Sequence, residues 1–596
     1  MRRWCAVLGL MGAATLTVRA AEPQPATPIE HLIVIIGENQ TFDAVFATYR
    51  PANGETVRNL LSQGIVLADG SPGPNFARAE QRRAQSGAHY SIDPPRAAAY
   101  ESLPRPTLIG VTDADFHAVG NGPDERIPAG LPSGPFPLSR YVPSATGDSP
   151  PTLAAGTAQL SAATGDPVHR FFQMWQQCGV ENRALDLYTW VAVTVGKGGD
   201  SRGVMPGDTG QGGELMGFRN MAAGDAAYLR GLADRYALSD NYHQSMMGGT
   251  GMNFFMFVTG DVPFYNVAGR AAVPPENQIE NPDPVAGSEN FYQHDGYEGG
   301  SYVNCSDRGS PGVAAILEAL DHAGVGSRCE PGHYYLLNNY SPGYDLDGHL
   351  QPLGAHNFTY PPQSVPTIAE ALSKRGVSWK WYIGARDPAD LATEMRTLHL
   401  PFETARRVQY NPDGDPLTAS TAVMTQPALR SRIQGLGAFY RDLEHGTLPA
   451  VSFIVPKNRD SGHPGYSVIA NYESVVRDIV QRVQSRPRLW AHAALIATTD
   501  EGGGNFDSGY IQMIDFFGDG PRIPLLVISP YARHGHVDHV YNDHVSILKF
   551  IERNWHLEPL SARSRDNLPD PISDVSDPYR PRNSPAVGDL TTLFDF

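Results

Sequence analysis

Five short, almost unbroken apolar runs constrain this chain more than any other feature. They are residues 31–37 (HLIVIIG), 377–384 (VSWKWYIG), 450–456 (AVSFIVP), 494–499 (ALIATT) and 523–530 (IPLLVISP). A strand with one wet face alternates polar and apolar residues. A run that is apolar at both parities must be covered on both faces, as central parallel strands are. Between these runs lie helical patterns. Residues 473–485 put Val475, Val476, Ile479, Val480 and Val483 on one stripe, and 545–555 do the same with Ile547, Leu548, Ile551 and Trp555. Residues 367–376 stop on Gly376, which can take the left-handed conformation that ends a helix. Strands alternating with amphipathic helices predict an α/β sandwich.

Two stretches interrupt the alternation. Residues 70–165 and 262–365 are rich in Pro, Gly, Ser and Asp, and loops of that length inside a compact domain are usually functional. We expect both to be insertions forming a cap or substrate-facing surface. The 61 Gly and 50 Pro show no G-X-Y period, so they mark loops and not a collagen-like rod. We therefore read 29–560 as one catalytic unit and 561–596 as a polar tail that wraps the surface.

The first residues carry Arg2 and Arg3, an apolar stretch from Trp4 to Val18, and a small-x-small pattern at Val18-Arg19-Ala20. This predicts a signal peptide over 1–20 and an exported protein, periplasmic or secreted; an uncleaved anchor is the alternative. Removing 1–20 moves the formal charge from −17 to about −20. Nucleic acid needs a basic footprint, so that partner class is excluded. No other segment approaches the ~20 apolar residues of a membrane span, so no integral membrane span is expected. Oligomeric state is not legible. Cys305 and Cys329, 24 apart in an exported chain, can pair as a disulfide. Cys178 lies in an apolar run and reads as an inert buried thiol.

In open α/β sheets ligands collect beyond the carboxyl ends of strands. The run 31–37 leads directly into Glu38-Asn39, and 494–499 leads into Asp500-Glu501 and then three glycines. Three carboxylates and an amide carbonyl form an all-oxygen set suited to a hard divalent cation. The alternative for each pair is a helix cap or a solvated loop. Neighbouring strand residues point to opposite faces, so both members of a pair reach one ion only where the strand has turned into a loop. Thr250 sits between glycines where a helix could begin. Its hydroxyl is a candidate nucleophile with helix N–H groups nearby, or else an N-cap. His243 and Ser245 are rivals in the same loop. His463 follows the strand 450–456 and so shares the catalytic edge, where it could protonate a leaving group. His169, His333 and His544 are weaker candidates. Glycine clusters at Gly196, Gly198 and Gly199 and at Gly210, Gly212 and Gly213 match no phosphate loop.

These segments together resemble the bacterial phosphoesterase family of phospholipases C and acid phosphatases of the acid phosphatase A type. HLIVIIGENQTFDAVF is similar to its opening signature, and DNYHQSMMGGTGMN to its nucleophile segment. LPAVSFIVPKNRDSGHPGYS and TTDEGGGNFDSGY are similar to two further motifs in the expected order. The resemblance implies an alkaline-phosphatase-like, three-layer sandwich with a mostly parallel sheet. It implies that Glu38, Asn39, Asp500 and Glu501 hold one divalent metal, which Thr250 also touches as nucleophile. The metal could be calcium, magnesium, manganese or zinc. His463, His169 and His333 become active-site histidines, and Asn39 and Asn253 contact substrate. The implied activity is phosphoester hydrolysis. Many phospholipase members carry D-H-V after the glycines, whereas here Ser508 follows Asp507, which favours an acid phosphatase-like phosphomonoesterase. Phospholipase C action on phospholipid is the alternative, with Trp379, Trp381, Tyr382 and Tyr302 as a potential choline cage. A non-catalytic exported protein that captures phosphorylated ligands is the alternative from another class; it would lack the nucleophile or a metal carboxylate.

Overall fold

The computed structural model describes residues 23–108, 110–111, 119–120, 122–142, 163–179, 184–195, 214–294, 300–397 and 401–596. The predicted signal peptide and the two glycine clusters at 196–199 and 210–213 lie outside the described residues. An eight-stranded sheet organises the rest. Its strands are β1 His31–Gly37, β2 Ala237–Ser239, β3 Trp379–Ile383, β4 Ile433–Gly435, β5 Val451–Val455, β6 Ala493–Thr499, β7 Leu525–Ile528 and β8 Val537–Asp538. The order across the sheet is β4-β3-β5-β1-β6-β7-β2-β8. All five predicted runs are strands of this one sheet.

The alternation within each central strand builds the layers. Ile33, Ile35, Leu495 and Ala497 face one core, while Leu32, Val34, Ile36, Ala494 and Ile496 face another. The first face is covered by α1 (Phe42–Phe46), α3 (Ala227–Ala233), α6 (Leu436–His445) and α7 (Ile469–Gln484). The second is covered by α2 (Phe171–Cys178), α4 (Thr250–Thr259), α5 (Ile368–Arg375) and α8 (His544–Trp555). The molecule is thus a three-layer α/β sandwich with a mostly parallel sheet. The helix boundary read at Gly376 is present: Thr367 forms a capping box with Glu370, and Gly376 closes α5 at φ +83°.

Two expectations need correction. The run 523–530 forms β7, but β7 is antiparallel to both neighbours, β6 and β2. Burial on both faces makes a strand apolar whatever its direction, so composition could not fix its sense. The tail after 561 does more than wrap the surface. Leu590, Leu593 and Phe594 enter the core, Phe594 stacks on Phe550 of α8, and Arg565 is buried against Asp515 and Asp519. Cys305 and Cys329 are joined as a disulfide with Cα atoms 5.6 Å apart. Cys178 is buried and free, its thiol pushed up to about 12 by burial, which makes it a poor nucleophile.

Candidate active site

Strand register assembles the site. β1 and β6 are parallel neighbours with Gly37 beside Thr499, so Glu38-Asn39 and Asp500-Glu501 leave the sheet side by side. The Asp500 N–H donates to the Gly37 carbonyl at 3.0 Å, and the Asn39 N–H donates to Asp500 Oδ1 at 3.2 Å. Asn39 takes φ +54°, the turn out of the strand that lets both members of a pair face one point. Further along the second loop, Gly504 has φ +72°, and a Cβ there would lie 2.3 Å from the Val168 carbonyl oxygen. Only glycine lets the 166–169 segment close onto this loop, and that contact brings in His169.

Thr250 is the first residue of α4, with Gly249 as its cap. It is 5% exposed, and its Oγ1 donates to Glu501 Oε1 at 3.0 Å. The N-cap alternative therefore fails, because the hydroxyl serves the carboxylate and not its own helix. The nearby Gly251 N–H is engaged by Asn339 Oδ1 at 2.8 Å.

Both site histidines share one arrangement. His463 Nδ1 lies 2.5 Å from the Pro464 carbonyl and His169 Nδ1 lies 2.6 Å from the Pro167 carbonyl. A carbonyl only accepts, so each Nδ1 carries the proton and, in the neutral ring, each Nε2 is an acceptor. His463 Nε2 accepts from Asn39 Nδ2 at 2.9 Å and lies 3.9 Å from Glu38. His169 Nε2 lies 3.9 Å from Glu501 Oε1. Burial, chiefly, holds the His463 pKa below its usual value. Tyr466 stacks on the His463 ring at 4.4 Å. Asp166, His169 and His463 form a buried group whose ligand atoms lie close enough together to hold a metal ion.

The electrostatics point the same way. Glu38 and Glu501 titrate well above the usual carboxylate range, from burial first and repulsion by Asp500 second. Asp500 is pushed up to about 7 by burial. Among the described residues no arginine or lysine pairs with any of the three. Asn39 Oδ1, Asp500 Oδ2 and Glu501 Oε2 are buried without a hydrogen-bond donor. Each orphaned buried acceptor costs about 1–3 kcal/mol. Donor-less buried oxygens in a carboxylate cluster suit, by their chemistry, the divalent metal that the family resemblance implies, and the described group whose ligand atoms cluster within reach of one ion is the adjoining Asp166, His169 and His463.

Three predicted residues lie elsewhere or act differently. His333 packs on Phe264 and Tyr335 and lies 3.4 Å from Glu330, so the loop 329–334 holds it in an aromatic cluster away from the carboxylates. Asn253, expected to bind substrate, is fully buried, and its Nδ2 donates to the Met246, Gly248 and Gly249 carbonyls. It shapes the turn before Thr250. His544 is buried against Phe257 at 4.0 Å and is structural. The rival His243 stacks on Tyr541, and the rival hydroxyl of Ser245 accepts the His544 N–H that opens α8. The sequence reading missed Asp166 and Asn411, whose Nδ2 donates to Glu38 Oε1. Both are single polar residues in loops; the nearness of Asp166 to His169 in GDPVH was the only signal.

The Phosphoesterase family model matches residues 117–558. The chain is 29% identical over 314 residues to a non-hemolytic phospholipase C of Burkholderia pseudomallei, an alignment covering 46% of this chain and 41% of that protein. It is 26% identical over 405 residues to a hemolytic phospholipase C of Pseudomonas aeruginosa, covering 64% and 43%. A phosphate-repressible acid phosphatase of Penicillium chrysogenum is 25% identical over 232 residues, covering 38% and 52%. These alignments thus span under half the length of either of these two phospholipases. Among the described residues no helix is long and apolar enough to cross a membrane.

Proposed function

The chain belongs to the phosphoesterase family, and we propose that it hydrolyses phosphoric esters through a covalent phosphothreonine at Thr250. The observation that carries this reading is the 3.0 Å bond from Thr250 Oγ1 to Glu501, inside a buried carboxylate cluster that has no cation of its own among the described residues. Glu38, Asn39, Asp500 and Glu501 would hold a divalent metal beside Thr250, with His169, His463 and Asp166 at its edge. When bound, the metal supplies Lewis acidity and lowers the pKa of an adjacent hydroxyl.

The protein's own residues have separate tasks. Glu501 orients the Thr250 hydroxyl and accepts its hydrogen bond, so the oxygen is aimed before substrate arrives. Attack on phosphorus forms the Thr250–phosphate bond and breaks the bond to the leaving oxygen, which takes a proton. His463 and His169, each holding its proton at Nδ1 against a carbonyl, present Nε2 toward that region; the proton that Thr250 loses on attack is taken up at an Nε2 and given from there to the leaving oxygen. Water then cleaves the phosphothreonine and frees the hydroxyl. The insertions at 70–165 and 262–365 form the substrate-facing surface in this reading, and export to the periplasm or medium remains part of it.

A phosphomonoester is the favoured substrate. The aromatics that could have caged choline, Trp379, Trp381, Tyr382 and Tyr302, are all core residues with 3% exposure or less. The phospholipase C names of two relatives keep phospholipid as the second reading. Initial rates on p-nitrophenyl phosphate and on phosphatidylcholine separate the two. Thr250→Ala is expected to lower kcat on the better substrate by about 10³-fold or more. Near-normal turnover by this variant would remove Thr250 from the chemistry.

A further inference from the structure

On the far side of the loop that carries Asp500 and Glu501 lies a second cavity of about 430 Å³. That size falls within the roughly 300–1,000 Å³ of small-molecule sites. Its lining includes four arginines, Arg58, Arg78, Arg82 and Arg580, in a chain whose formal charge is −17. Arg58 and Arg82 are half-buried in the wall, and Arg78 and Arg580 are exposed at the rim. The cavity has two acids. Asp186 is bonded to Arg96, which does not line it, and Glu80 is the other.

Three of the four arginines are not neutralised where they stand. None of Arg58, Arg78 and Arg82 is ion-paired with a carboxylate among the described residues. Arg58 lies over the Tyr579 ring at 4.9 Å, and Arg580 lies over Tyr510 at 4.8 Å with Asp577 at 3.6 Å. Arg82 gives one N–H to the Ala97 carbonyl. Burial and the neighbouring cations Arg522 and Arg580 depress the Arg58 pKa, an effect that a bound anion would relieve. None of Glu38, Asn39, Thr250, Asp500 and Glu501 lines this cavity. The wall facing them is Phe506, Ser508 and Gly509, and Ser508 Oγ is tied down by Asp43.

We propose that this arginine-lined cavity is a second binding site, separate from the carboxylate cluster, for a small polyanion of the phosphate or diphosphate class. Forked guanidinium donors lining one cavity match the oxygens of such a group, and the charge assists each bond. The carboxylate cluster needs a cation before it can meet an anion, whereas this cavity carries its own positive charge.

Methylenediphosphonate, whose P–C–P bridge is not a phosphoester, is the probe for calorimetric titration into the full chain. The wild type is expected to bind it in one event that needs no added metal, because the carboxylate cluster alone depends on a cation. Arg78→Glu, at the exposed rim, and Arg58→Gln/Arg580→Gln are each expected to weaken that event by about tenfold or more. Both should keep p-nitrophenyl phosphate turnover within about twofold of wild type. The site is overturned if both variants keep the wild-type isotherm. It is equally overturned if turnover falls in step with binding, because the cavity would then belong to the catalytic site.

Discussion

The same two segments of chain build two buried acidic clusters, and the two have opposite fates. Glu38 and Asn39 meet Asp500 and Glu501, while a few residues on Asp43 meets Asp507. The second cluster encloses Arg522, whose Nε and Nη2 reach Asp507 at 2.9 and 3.0 Å and whose Nη2 reaches Asp43 at 3.1 Å. Ser508 adds its N–H and hydroxyl to Asp43. One oxygen, Asp43 Oδ1, is left without a donor. The first cluster has three such oxygens and neither arginine nor lysine paired to it among the described residues. Buried carboxylates normally come with their counter-charge. One cluster has its cation covalently built in and is structural. The other has no arginine or lysine paired to it among the described residues, and its hydroxyl, that of Thr250, is the one proposed as nucleophile.

The largest expected stability effect breaks the self-sufficient cluster. Arg522→Met leaves Asp43 and Asp507 buried without a partner and should cost about 3–5 kcal/mol in denaturant unfolding. An unchanged midpoint would mean that the pair is neutralised some other way.

The next prediction concerns the cluster that lacks a cation. Its carboxyls have folded pKa values raised above their unfolded ones, Asp500 to about 7. Without metal, the stability they contribute is fully present below the unfolded pKa and is lost as pH rises through the folded values. Saturating divalent cation should therefore raise Tm, and by more at about pH 8 than at about pH 5. At 100 times Kd the gain is about 2.7 kcal/mol. A cation effect that is equal at both pH values would place the ion elsewhere.

A third effect measures the background against which both clusters titrate. Burial lowers His544 to about 3. A depressed histidine gives stability that is full above about pH 6.5 and is lost as pH falls toward the folded value, by about 1.4 kcal/mol per pH unit at most. His544→Gln should flatten that acid limb of the Tm–pH curve without changing the cation response. A limb that survives the substitution would assign it to another group.

The two clusters also differ in how far the sequence could disclose them. Glu38 and Asp500 were legible because each follows an unbroken apolar strand, and a strand end is where a parallel sheet presents ligands. Arg522 was not legible, since it stands just ahead of a strand and its partners are 15 and 479 positions away. The predicted strands were long enough to show two-sided burial, whereas β2, β4 and β8 have two or three residues each and no periodicity to read. His169 and His333 looked alike as lone histidines in loops. Only the closure of Val168 onto Gly504 distinguishes them, and that contact is tertiary.

The central claim is that Glu38, Asp500 and Glu501 hold a cation that the protein does not itself supply. Elemental analysis of the purified chain after equilibrium dialysis tests it most directly, with Asp500→Asn/Glu501→Gln and Arg522→Met beside the wild type. The account predicts about one equivalent of divalent metal per chain in the wild type and in folded Arg522→Met, and loss of it in the double variant. Retention of the metal by the double variant, or full phosphoesterase activity in metal-free wild type, would contradict it.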